Sequence, residues 1–148
     1  MKAIDNLTLR ALQASMFACV VLVFTIAQGY WALWEYRTAP SSACLDCSFL
    51  PDLVLSSFLP LTAMIVIHVI FIFIKPKRIM RTCVVAFAFM LCWYLIDIAI
   101  FDEREAFWST YTNIWVTGLY LCALQISVFG SVTAVIYYKF LSCQNKII

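Results

Sequence analysis

Charge is scarce in this chain, and its absence comes in blocks. No Asp, Glu, Lys or Arg occurs between Arg10 and Glu35, between Asp52 and Lys75, or between Glu105 and Lys139, and Asp97 is the one charge between Arg81 and Asp102. Charged residues make up 12% of the 148 positions, where a soluble domain has about 25%, which excludes an ordinary water-soluble globule. Three glycines and four prolines leave no room for long flexible linkers. The single histidine, His68, excludes paired-histidine haem ligation within one chain. The sequence has no Walker loop, zinc-protease helix, nucleophile elbow or glycine-rich nucleotide fingerprint. Its basic segments are too short to form a nucleic-acid surface. Neither a cofactor nor a metal is expected.

What the chain has instead is apolar surface, 65% of its residues. A helix needs about 20 mostly apolar residues to cross a hydrocarbon core of about 30 Å. The uncharged stretches are of that length and predict an all-α integral membrane protein. It forms one domain over 1–148, a four-transmembrane-helix bundle with spans near 11–34, 53–74, 82–101 and 114–138. The first run exceeds the length of a signal-peptide core, which predicts a retained helix. Pro60 removes one backbone hydrogen bond from the second helix and is expected to bend it.

Sorting the charges by side orients the bundle. Lys2, Asp5, Arg10, Lys75, Lys77, Arg78, Arg81, Lys139 and Lys146 fall on one side, eight positive and one negative, for +7. Glu35, Arg37, Asp46, Asp52, Asp102, Glu103, Arg104 and Glu105 fall on the other, two positive and six negative, for −4. An excess of Lys and Arg marks the cytoplasmic side, so both termini are predicted to be cytoplasmic (N-in, C-in). A bacterial inner membrane is the expected location. Tyr30, Trp31, Trp34 and Tyr36, then Phe107, Trp108, Tyr111 and Trp115, form outer aromatic belts, and Tyr137 and Tyr138 mark the inner end. Lys75, Lys77, Arg78 and Arg81 make a basic cytoplasmic turn suited to anionic lipid headgroups, worth about 1 kcal/mol per basic residue near the surface.

Polar residues inside spans are costly and often functional. At 1.5 Å per helical residue, Asp97 lies about 7 Å below the outer surface and Gln28 about 9 Å below it. A Gln28–Asp97 hydrogen bond is the expected solution for the buried carboxyl. His68 lies about 9 Å above the inner edge, too far from Asp97 for a direct pair. Gln125 sits nearer mid-membrane and wants a partner there. Ala123, Ser127 and Ser131 recur at spacing four on the last helix, with Gly130 and Ala134 beside them. Small residues at this spacing let helix backbones approach, which predicts the tightest packing face, either inside the bundle or against another protein.

Of seven cysteines, Cys44 and Cys47 form the one close pair, in the first outer loop. In an oxidising compartment they can form a disulfide or exchange thiols. The other five lie in or beside apolar runs and serve as small hydrophobes. A four-helix membrane chain with Cys-x-x-Cys just beyond its first helix resembles the bacterial disulfide-generating oxidoreductases that pass electrons to quinone. The resemblance covers Cys44, Cys47 and the helix count. Those enzymes use a second cysteine pair in the second outer loop and an arginine near the quinone. Here the loop 102–113 holds no cysteine and no arginine closely follows Cys47.

The leading expectation is therefore a non-enzymatic bundle that binds a partner in or at the membrane. It could be an accessory subunit of a membrane complex or an immunity-type protein against a membrane-inserting toxin. Membrane lipids, and another membrane protein or a further copy of the chain, are the expected partners, with no nucleic acid. Two alternatives stand beside it: a thiol–disulfide oxidoreductase using Cys44 and Cys47, and a small transporter or channel subunit built on Asp97.

Overall fold

The computed structural model describes residues 2–42, 47–105, 110 and 113–144, with side chains described for residue 12 and, within those ranges, for 15–142. The described residues are all helical or loop. The chain runs through α1 (Lys2–Ala32), a single 3-10 turn (Trp34–Tyr36), α2 (Phe49–Ser56), α3 (Phe58–Ile74), α4 (Arg78–Arg104) and α5 (Ile114–Gln144). Four stretches are long and apolar enough to cross a membrane: Ser15–Ala32, Phe49–Ile74, Arg78–Arg104 and Ile114–Ser142.

The helices outrun the spans expected from charge. α5 has 31 residues, about 46 Å of helix against a hydrocarbon core of about 30 Å. A charged residue marks where lipid ends, but a helix with all its backbone bonds made has no reason to stop there. The second span departs from expectation in another way, because it breaks into α2 and α3 at Ser57. Both the amide and the hydroxyl of Ser57 donate back to the Leu53 carbonyl, at 3.0 and 2.7 Å. Pro60, three residues on, has no amide to donate to Ser56, so the break falls where the ladder is already short of a donor. At its C-terminal end α3 stops on Lys75, whose φ of 47° is left-handed, and Pro76 prevents continuation.

α1 and α4 form the central diagonal. α4 packs on α5 most extensively and also meets α3, α1 and α2, while α1 touches each of the others. α4 presents one continuous buried stripe at helical spacing: Val85, Phe89, Trp93, Ile96, Asp97, Ile100, Phe101 and Arg104. Half of an 18-residue apolar window of α4 is buried, against 17% of such a window in Phe49–Ile74, so α2 and α3 turn most of their apolar surface outward. Close approach on the other helices depends on glycine. A Cβ on Gly118 would meet Ile98, and one on Gly130 would meet Met90, each under 3 Å.

The aromatic belt is partly turned inward. Trp31, Trp34 and Trp115 are exposed, but Tyr36 packs edge-on to Phe101 at 5.1 Å and Tyr137 is buried against Phe17. Phe107, Trp108 and Tyr111 lie outside the described residues.

Candidate functional site

The seam between α1 and α4 carries two polar contacts one turn apart. On the deeper one, Trp93 Nε1 donates to Thr25 Oγ1 at 3.0 Å, and the Thr25 hydroxyl donates to the Val21 carbonyl at 2.8 Å. One turn outward, Gln28 Nε2 donates to Asp97 Oδ2 at 2.6 Å. Gln28 and Asp97 are 0% and 1% exposed, so this is an interior bond with no competing water. Beside this bond Gly29 lets α2 pack close to α1: a Cβ there would lie 2.5 Å from Leu53 Cδ2, while Asp97 Oδ1, at 3.6 Å, would be in ordinary contact. From α5, Cys122 donates its thiol to the Gly118 carbonyl and also faces the Asp97 carboxyl. Asp97 Oδ1 and Gln28 Oε1 are both buried with no hydrogen-bond partner.

Above this seam the bundle is closed by Arg104. Its Nη1 donates to the Ala39 carbonyl at 2.6 Å, and its Nη2 donates to Asp52 Oδ2 at 2.6 Å and to the Cys47 carbonyl at 3.3 Å. The guanidinium also lies 5.2 Å from the Phe49 ring centroid. One side chain thus ties the loop between α1 and α2, and the start of α2, to the end of α4. The Ser42 amide adds a bond to the Glu103 carbonyl. Arg104 reads in the sequence as one cation in an acidic outer run. The signal that finds it is helical spacing: Trp93, Asp97, Phe101 and Arg104 follow at four, four and three, on the buried face of α4.

Cys47 sits on this loop with its sulfur in a disulfide. Cys44 lies outside the described residues, and with it the pairing expected from the sequence. Arg104 reaches the Cys47 backbone carbonyl from the far end of α4.

The remaining expected positions scatter. His68 is exposed on α3, away from the α1–α4 seam. Gln125 is half-buried, with Oε1 enclosed and unpartnered. The small-residue face of α5 divides: Gly130 is buried against Met90, Ala123 and Ala134 are half-buried, and Ser127 and Ser131 face outward. Both outward hydroxyls donate to their own helix, Ser127 to the Ala123 carbonyl at 2.7 Å and Ser131 to the Ser127 carbonyl at 2.8 Å. In the basic turn, Arg78 bonds the Tyr138 carbonyl and lies over the Tyr138 ring, Arg81 bonds the Pro76 carbonyl, and Lys75 and Lys77 are exposed.

Among the described residues no three His, Cys, Asp or Glu side chains gather in a way that could hold a metal ion. Compared with protein-family models, with curated proteins and with solved structures, the chain matches none of them.

Proposed function

We propose that the chain is an integral protein of a bacterial inner membrane, crossing it four times with both termini in the cytoplasm. In this reading it acts without catalysis, by binding a second protein segment inside the bilayer. The partner is either the complex that this chain serves as an accessory subunit or a membrane-inserting toxin that it holds off as an immunity-type protein. The orientation rests on the +7 and −4 charge balance of the two faces.

The observation that carries the binding reading is the outward stripe on α5 made by Ser127 and Ser131, with the half-buried Ala123 one turn before them. In lipid, helices associate by close van der Waals packing and interhelical hydrogen bonds, and small residues at spacing four permit both. The inward side of α5 is already engaged, Gly118 on Ile98 and Gly130 on Met90. The stripe is therefore surplus to the bundle itself. Its serine hydroxyls are satisfied within the helix, so the surface tolerates lipid, and they remain able to bond across an interface. Purification from the native membrane in a gentle detergent tests the reading, with a protein co-purifying in constant ratio as the expected result. For the toxin-binding form, the same purification is made after exposure to the toxin. A lone monomer under both conditions contradicts the proposal.

A second reading, a membrane thiol–disulfide oxidoreductase using Cys44 and Cys47, is favoured by the contact of Arg104 Nη2 with the Cys47 carbonyl. Arg104 fixes the loop against the bundle and brings a positive charge to it, the setting in which cysteine pairs exchange. Full biological activity of a Cys47→Ser chain eliminates this reading.

A further inference from the structure

The layer around Asp97 has more acceptors than donors. A carboxylate accepts at both oxygens and donates nothing, and a glutamine amide brings two N–H donors and one oxygen. Here Gln28 Nε2 serves Asp97 Oδ2, while Asp97 Oδ1 and Gln28 Oε1 are enclosed without a partner. Each buried polar atom left without a partner is destabilising. A charge without a counter-ion buried within a membrane-spanning helix is costly as well.

No group facing the layer relieves both deficits. α1 contributes Gln28 and the bare backbone of Gly29, and α2 contributes the apolar Leu53. α5 contributes Cys122, a weak donor with one thiol proton shared between the Gly118 carbonyl and the Asp97 carboxyl, which leaves Gln28 Oε1 unserved in either case. Along α4, Trp93 gives its N–H to Thr25, and Phe101 is fully buried between Asp97 and Arg104. Arg104 gives its two terminal nitrogens to Asp52, Ala39 and Cys47, and its buried Nε, which has no partner, lies about 10 Å further along the helix, too far to reach the layer. A Ca2+ or Mg2+ ion would take about six or more oxygen ligands, and among the described residues this layer encloses only two unpartnered oxygens.

A single proton answers both deficits. Placed on the carboxyl, it removes the charge and supplies the donor that Gln28 Oε1 lacks, while the Gln28 amide goes on donating to the other carboxyl oxygen. We infer that Asp97 and Gln28 form a proton-binding site inside the bundle, held as a carboxylic acid–carboxamide pair between α1 and α4. This inference is independent of the partner-binding reading, since it concerns the seam and not the outward face of α5.

Infrared spectroscopy of the purified full-length protein in lipid tests it. At neutral pH the spectrum is expected to contain a protonated-carboxyl C=O stretch that moves to lower frequency when aspartate side chains carry carbon-13. Gln28→Leu should raise its frequency, because the acid loses its amide partner. Asp97→Asn should abolish it. Asp97→Glu should retain a band that the aspartate label no longer moves. Should Asp97→Asn not fold, the labelled wild-type protein and Asp97→Glu still decide. The inference is overturned if the wild-type protein shows no such band at neutral pH, or if labelled aspartate leaves the band where it was.

Discussion

Arg104, in the last turn of α4, and Asp52, in the first turn of α2, form an ion pair with Nη2 and Oδ2 2.6 Å apart and side chains 2% and 27% exposed. Each residue stands at the helix end whose dipole favours its charge. The pair does more than join two helices, because the same guanidinium holds the Ala39 and Cys47 carbonyls. Removing one partner of a fully buried pair costs about 3–5 kcal/mol. Asp52 is partly exposed, and two carbonyls remain to hold the cation in its absence. Asp52→Asn is therefore expected to cost about 1–3 kcal/mol in unfolding measured in detergent. A double-mutant cycle with Arg104→Met should give a coupling of about 1 kcal/mol or more. Coupling near zero would show that Arg104 holds the loop without Asp52.

Glycine contributes unequally to the packing. Replacing glycine by alanine in a helix gains about 1 kcal/mol in propensity, which steric conflict must exceed to destabilise. At Gly29 the new methyl would lie 2.5 Å from Leu53 Cδ2, and Leu53 is enclosed on all sides. Gly29→Ala is expected to destabilise by about 1–3 kcal/mol, and Leu53→Ala in the same chain to recover part of the loss of close approach. At Gly130 the obstacle is the half-buried, flexible Met90, which can swing aside. Gly130→Ala is expected to be close to neutral. Thermal unfolding of the two single variants side by side checks the ranking, and equal losses would contradict it.

What could be read from the sequence divides along a physical line. Depth was legible, because residues count off at a fixed rise from the nearest charge. That arithmetic puts Gln28 and Asp97 at one level, where the structure has them bonded. It also separates His68 from Asp97, and His68 lies exposed on α3. Azimuth around the helix was far less legible. In a soluble helix polar residues mark the outer face, but here both faces are apolar, so Tyr137 reads as an interfacial anchor and turns out to be core. The small residues of α5 could not be assigned to one side for the same reason, and they divide between Met90 and the outer surface. Arg104 was hidden by its neighbours. Asp102, Glu103 and Glu105 make a solvated run of it, and only the register of α4 turns this one residue inward.

Orientation is open to direct test. With both termini in the cytoplasm, a fluorescent protein at the C-terminus should be bright, and a phosphatase that works only outside the cytoplasm should be active when fused after Glu105. Replacing Lys75, Lys77, Arg78 and Arg81 together by glutamine removes four of the eight inner positive charges and should raise the fraction of inverted chains. Inactive phosphatase after Glu105 in the unaltered sequence would reverse the assignment.

The claim that matters most is that the outward stripe of α5 meets another protein. Photo-crosslinking within the native membrane tests it most directly, with the reactive side chain placed in turn at Ser127, at Ser131 and, as a lipid-facing control, at Phe73, which is 80% exposed on α3. The account predicts a discrete protein adduct from Ser127 and Ser131 and only lipid adducts from Phe73. Lipid adducts alone at all three positions, with the toxin supplied or withheld, would contradict it.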